Sequence, residues 1–150
     1  MKTKINLVLA LVVLMAASLG MSQSNISFST ANIGDLKFGA NNAANPQSEI
    51  FGPKDKVYIV SEVQNTQSKH KVKIVFLYDD VKGKEAGSVA TDCGEIDVPG
   101  EHPFNCSVFS EKGQLPAGRY KAQAVLLNED GSREIDRREG TFEIINDYEW

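Results

Sequence analysis

Residues 115–144 read LPAGRYKAQAVLLNEDGSREIDRREGTFEI, and the reading of this stretch decides the fold. Pro116 and Gly118 bend the chain just before Tyr120. From there Tyr120, Ala122, Ala124 and Leu126 alternate with Lys121, Gln123, Val125 and Leu127, the two-residue period of a β-strand. Asp130-Gly131 supplies a tight two-residue reversal. The return strand carries Ile135, Phe142 and Ile144. Ile135 is out of parity with Phe142, and Gly140 is the residue expected to repair the face by hosting a bulge.

The same alternation runs through the rest of the chain, and no segment of ten or more residues has a convincing helical period. ISFSTA (26–31) reads as a first strand with Ile26 and Phe28 on one face, and DLKFG (35–39) continues it after Gly34. Residues 40–55 are rich in Asn, Pro and Gly and read as a loop. KVYIVSEV (56–63) is a strand. KVKIVFLYDD (71–80) is the strongest one, with Val72, Ile74, Phe76 and Tyr78 sharing a face opposite Lys71, Lys73, Val75 and Leu77. A weaker strand is expected near 87–92 and another at 104–110. That makes roughly seven or eight short strands with turn signals every eight to twelve residues, which an antiparallel two-sheet sandwich buries best. Tyr148 and Trp150 suggest a closed membrane barrel as the rival. Such a barrel needs lipid-facing bands of about ten residues per strand. SREIDRREG (132–140), with aromatics at only 8% of the chain, does not supply them.

At Leu115, Pro116, Gly118 and Tyr120 the chain resembles the corner that leads into the penultimate strand of immunoglobulin-like and fibronectin-type-III-like β-sandwiches. The resemblance covers about residues 26–145 at the level of strand order and implies that the Tyr120 hydroxyl bonds back to nearby backbone. It departs from antibody-type domains in two respects. Cys93 and Cys106 are too close in sequence for the usual inter-sheet bridge, and no Trp lies in the third strand, where Phe76 or Tyr78 would have to fill the core.

The N-terminus has the pattern of an export signal. Lys2 and Lys4 precede the apolar run Ile5–Leu19, and Ser18 and Gly20 fit cleavage after Gly20, with Ser22 close behind. The alternative is an uncleaved anchor, for which the run is short, since a span takes about 20 apolar residues. The expected layout is a signal peptide at 1–22 and one domain at 23–150, ending in a polar tail (146–150) that carries two aromatics. Loss of Lys2 and Lys4 would move the net charge from −4 to −6. An acidic chain with no concentrated basic patch argues against nucleic acid or anionic lipid as a main partner, and membrane insertion is not expected once the signal is removed. The expected location is secreted or periplasmic.

Two cysteines in an oxidising compartment imply a Cys93–Cys106 disulfide, expected to staple neighbouring antiparallel strands. No zinc spacing surrounds them, and no metal or cofactor is expected. Signs of catalysis are scarce. His70 and His102 fall in expected loops, no G-x-S-x-G elbow occurs, and the cysteines are tied up. Asp79, Asp80 and Glu85, then Asp92, Glu95 and Asp97, would hold calcium only through adjoining loops, since no twelve-residue calcium loop is present. A paired-acid hydrolase would need two carboxylates fixed in a cleft. SREIDRREG reads as an exposed strand guarded by charge. The sequons at Asn25 and Asn105 are read as chance matches.

One feature leans toward function. If Tyr78 and Tyr120 both face the core, Val75, Leu77, Val125 and Leu127 point outward as one exposed apolar stripe, the kind of patch that docks a partner. The expectation is a non-enzymatic binding module that meets a protein partner or a second copy of itself through that sheet. The alternatives are a protease inhibitor presenting loops 64–70 and 128–133, or a structural subunit of a surface assembly with 24–39 as a detachable strand.

Overall fold

The computed structural model describes residues 30–146. The expected signal peptide, all of ISFSTA before Thr30, and tail residues 147–150 lie outside the described residues. Among the described residues there is no helix, and nine β-segments make up two packed sheets. They are β1 (Asn32–Ile33), β2 (Lys37–Gly39), β3 (Ile50–Phe51), β4 (Val57–Gln64), β5 (His70–Val81), β6 (Val89–Val98), β7 (His102–Val108), β8 (Gly118–Leu127) and β9 (Glu134–Ile144). In the smaller sheet β1 and β2 lie end to end along one side of β4, and β7 lies along the other. The larger sheet runs β3-β9-β8-β5-β6. All pairings are antiparallel except that of β3 with β9, which is parallel. This is an all-β two-sheet sandwich. The expected loop 40–55 contains β3, which crosses from the first sheet to the second.

The alternating faces meet between the sheets. Val72, Ile74 and Phe76 of β5 and Tyr120, Ala122, Ala124 and Leu126 of β8 are buried against Val57, Ile59 and Val63 of β4 and Phe104 and Val108 of β7. Tyr78, Tyr120 and Phe142 stand directly across from one another on three adjacent strands. Phe142 stacks on Tyr120 with ring centroids 5.3 Å apart, and the rings of Phe38, Phe51 and Phe76 lie 5.4, 5.9 and 6.1 Å from it. Tyr78 and Tyr120 lie 5.5 Å apart at the edge of the core.

Four local expectations are corrected. The bulge in β9 sits at Ile135, between the pairs Leu126↔Asp136 and Leu127↔Glu134, and not at Gly140. Gly140 pairs regularly with Ala122, and a Cβ there would stand 2.9 Å from the Phe38 ring, so its role is to let Phe38 of the opposite sheet come close. The Asp130-Gly131 reversal is a longer loop closed by Asn128: its backbone N–H donates to Arg133 O at 3.0 Å, and its Oδ1 accepts from Arg133 N. His70 is not in a loop; it opens β5 and is buried, with Nδ1 2.9 Å from Ser68 O. Half of the charge run is not merely a guard. Asp136 Oδ2 accepts from Ile33 N at 2.9 Å and Arg138 Nε donates to Ile33 O at 3.1 Å, so two side chains of β9 hold the backbone of β1 as a neighbouring strand would.

Candidate functional site

The corner at 115–120 organises one end of the sandwich. Leu115 N–H donates to Pro53 O at 2.6 Å, tying the corner to the turn before β4. Gly118 has φ +137, and a Cβ on it would lie 2.3 Å from Asp80 O, so only glycine lets β8 start this close to the end of β5. The Tyr120 hydroxyl donates to Pro116 O at 2.7 Å, the corner bond expected from the resemblance. Burial pushes the Tyr120 pKa well above the ordinary phenol range, with Tyr78 as a lesser cause, so the group stays a proton donor. Tyr120→Phe is expected to lower stability by about 1 kcal/mol, the net worth of one such bond plus part of the desolvation of the orphaned carbonyl. Urea unfolding of the two proteins side by side checks this, and equal midpoints would show the bond to be idle.

Cys93 and Cys106 form a disulfide with Cα atoms 6.5 Å apart. It does not staple paired strands. Cys93 is on β6, the outer strand of the larger sheet, and Cys106 is on β7, the outer strand of the smaller one. The bond therefore crosses between the two sheets along one open side of the sandwich. The chain makes an inter-sheet bridge from nearby cysteines because β6 and β7, though consecutive, belong to opposite sheets.

Val75, Leu77, Val125 and Leu127 do share the outer face of the larger sheet, but the structure does not bring them together as an open stripe. Across the ladder Val75 stands opposite Gln123, Leu77 opposite Lys121, Lys73 opposite Val125 and Lys71 opposite Leu127. Each apolar side chain is thus flanked by a long polar one whose stem can lie over it. Val125 retains only 8% exposure, and the other three are half-buried. Polar pairs cover the same face: Lys71–Asp97 at 2.9 Å, Gln123 Nε2 to Glu139 Oε1 at 2.7 Å, and Arg119 with Asp79. The Arg119 guanidinium holds the Asp79 carboxyl below its usual pKa. Asp92 accepts from Gly94 N–H at 2.8 Å. These partners engage Asp79, Asp92 and Asp97, three of the six carboxylates considered for calcium, and among the described residues no group of three or more His, Cys, Asp or Glu is placed to hold a metal ion.

Near the corner a cleft of about 420 Å³ opens between the start of β6 and the end of β7. Ala90 and Thr91 of β6 line one side and Ser107 and Val108 of β7, with Phe109 after it, line the other; Tyr78, Tyr120, Leu115, Pro116, Glu111 and Lys112 complete the lining. The disulfide clamps the two walls one or two residues further along each strand. Phe109 is 51% exposed, although it is a large apolar residue. Lysines stand over the aromatic rings: Lys84 Nζ is 5.3 Å from the Tyr78 ring, and Lys56 Nζ is 5.0 Å from Phe109 and 5.3 Å from Tyr58. The cleft thus has aromatic lining and carries one cation and one anion of its own, Lys112 and Glu111. Sequence reasoning missed it because its residues come from five separate stretches. Its one local signal was Phe109, an aromatic left beyond the end of a strand.

No family model matches the chain, and no curated protein matches it. Solved structures similar to it include the Pseudomonas fluorescens alkylpurine DNA glycosylase AlkC bound to DNA containing an abasic site analog, with TM-score 0.47 and 11% identity over 77% of this chain. The chain spans only 30% of that protein's length. The CARDB domain of a Pyrococcus furiosus protein in complex with di-metal ions gives TM-score 0.44 and 12% identity, covering 81% of this chain and 93% of the domain. A Niemann-Pick type C2 protein from Japanese carpenter ant gives 0.42 and 11%, covering 79% and 96%. What these three share with the chain is a loose likeness of fold.

Proposed function

We propose that this chain is an exported, non-catalytic binding module that captures a protein partner at the β6/β7 cleft. The observation that supports this is the exposed Phe109 in a cleft that the half-buried Tyr78 also lines, with a disulfide joining the two strands that wall it. Aromatic residues at the centre of a concave site contribute most to recognition. The disulfide belongs to the chemistry of an oxidising compartment and supports the reading of residues 1–22 as an export signal. The outer face at Val75, Leu77, Val125 and Leu127 is the weaker surface, because its polar pairs would have to be desolvated on docking. The inhibitor alternative is less favoured because loop 128–133 is braced by its own hydrogen bonds and does not project as an extended segment.

A photo-crosslinking side chain placed at Phe109, Leu77 or Glu129, one position per protein, separates the three surfaces in the native host. The expected result is a discrete crosslinked species from position 109 and none from 77 or 129. A species formed from 77 alone would return the docking site to the outer face, and one from 129 alone would favour the loops. Phe109→Ser is expected to weaken capture at least about tenfold, in line with loss of an aromatic anchor worth about 2 kcal/mol, while Leu77→Lys leaves it unchanged.

A further inference from the structure

We infer that the free edge of β9 pairs with the same edge of a second copy of this chain, across a two-fold axis at Arg138. The inference starts from backbone groups. Glu143 N–H donates to Glu49 O at 2.8 Å and Ile145 N–H donates to Phe51 O at 2.9 Å. Odd-numbered residues beyond the bulge at Ile135 therefore turn their N–H and C=O toward β3, away from β8. β3 covers only Glu143 and Ile144. Arg137, Glu139 and Thr141 carry the same outward N–H and C=O groups, and none of these groups meets a partner among the described residues. The three residues are also exposed. A strand edge in this state is a template for another strand. Inward-pointing charges ordinarily discourage such pairing. Here the two that face inward, Asp136 and Arg138, are already spent on the backbone of Ile33.

Charge selects a second copy as the occupant, and it does so in one register. Antiparallel pairing of the edge with itself sets odd residues opposite odd residues, each such pair exchanging both of its backbone hydrogen bonds. Centred on Arg138, it places Arg137 against Glu139 of the partner subunit and Glu139 against the partner's Arg137, the reciprocity of an isologous contact. Centred on Arg137 it would oppose two guanidinium groups, and centred on Glu139 two carboxylates, both unfavourable. A slide further toward the C-terminus is stopped by β3, which already occupies Glu143, and a slide the other way meets the bulge at Ile135. Both side chains keep capacity for the contact. Glu134 takes Nε and Nη2 of Arg137 and leaves Nη1, while Gln123 takes Oε1 of Glu139 and leaves Oε2. The pairing joins two five-stranded sheets through β9 and leaves β6, with the cleft beside it, at the far edge of each. It is therefore independent of capture at the cleft.

Sedimentation equilibrium of the protein purified from its host tests the pairing, with circular dichroism to check that each variant keeps its sheet signal. The wild type is expected to show a reversible monomer–dimer equilibrium. Arg137→Glu and Glu139→Arg each turn two opposite-charge pairs into two like-charge pairs, so each alone is expected to raise the dissociation constant at least about tenfold. An equal mixture of the two variants should dimerise again, because the introduced carboxylate meets the introduced guanidinium while the native pair meets on the other side of the axis. Both substitutions combined in one chain should likewise restore self-pairing. Phe109→Ser should leave the equilibrium unchanged, and both charge reversals should leave crosslinking from position 109 unchanged, which separates failure of this inference from failure of the capture reading. A wild type that stays monomeric through about 1 mM chain, a dimer indifferent to both reversals, or a mixture no more associated than its components would overturn the inference. A dimer lost in Leu77→Lys but not in the charge reversals would overturn it in favour of the outer face.

Discussion

Phe142→Ala is expected to lower the stability of the domain by about 3–5 kcal/mol, the usual range for truncating a fully buried phenylalanine. The upper part of that range applies here for a geometric reason. Phe142 is 2% exposed, and four other aromatic rings lie within 6.1 Å of it, two from the neighbouring strands β8 and β3, one from β5 and one from β2 in the opposite sheet. A cavity at this point cannot be closed by moving one neighbour, because each ring is fixed on a different strand. Aromatic pairs also contribute about 0.5–1.5 kcal/mol beyond buried area. Urea unfolding followed by circular dichroism gives the value. A loss below about 1.5 kcal/mol would mean that the sheets collapse around the gap and that the aromatic cluster is not the keystone of the core. Phe142→Leu, which keeps most of the volume, is expected to recover much of the loss.

How much of this was legible in the sequence follows from what sets each feature. The faces of β5 and β8 were readable because alternation is a local property: Val72, Ile74 and Phe76 are buried as their spacing requires, and Tyr120 is in the same row. The corner was readable because Leu115, Pro116, Gly118 and Tyr120 make it within six residues. The bulge was misplaced because parity says only that one extra residue exists somewhere between Ile135 and Phe142. Gly140 attracted the assignment as the flexible residue, while its actual role depends on Phe38, about a hundred positions away. β3 was lost in a turn-rich stretch because a two-residue strand has no period to detect. The inward carboxylate and guanidinium of Asp136 and Arg138 read as solvent-facing charge because their partner is the backbone of Ile33.

The binding surface was less legible for a related reason. The direction of Val75, Leu77, Val125 and Leu127 could be read from parity, but their exposure could not. Exposure depends on ladder register, and the register places a lysine or glutamine opposite each of them. A shift of two residues along β8 would have set Val75 against Val125 and Leu77 against Gln123, and a continuous apolar patch would have begun to form. The cleft lies further out of reach, since it exists only because consecutive strands β6 and β7 join different sheets.

Replacing both cysteines, as Cys93→Ala with Cys106→Ala, is expected to cost about 3 kcal/mol, the chain-entropy value for a loop of this size. With a urea m-value of about 1–3 kcal/mol per molar, the midpoint should fall by roughly 1–3 M. The position of the bond adds a local consequence. Had the cysteines joined paired strands, the ladder between those strands would hold their registry after the bond was gone. β6 pairs with β5 and β7 pairs with β4, and β6 and β7 share no ladder with each other. Without the bond, the two outer strands are joined by the short connection 99–101 at one end and elsewhere by side-chain packing in the core that holds Val98, Phe104 and Val108. Amide exchange should therefore accelerate first at residues 89–93 and 106–108, ahead of β5 and β8 and beyond what the global loss of stability accounts for. Those residues are also the walls of the cleft, so the same variant should lose capture at Phe109 under conditions where it is still folded. Uniform acceleration across all nine strands, with capture intact in the folded variant, would show that the disulfide serves global stability alone and that the walls keep their spacing without it.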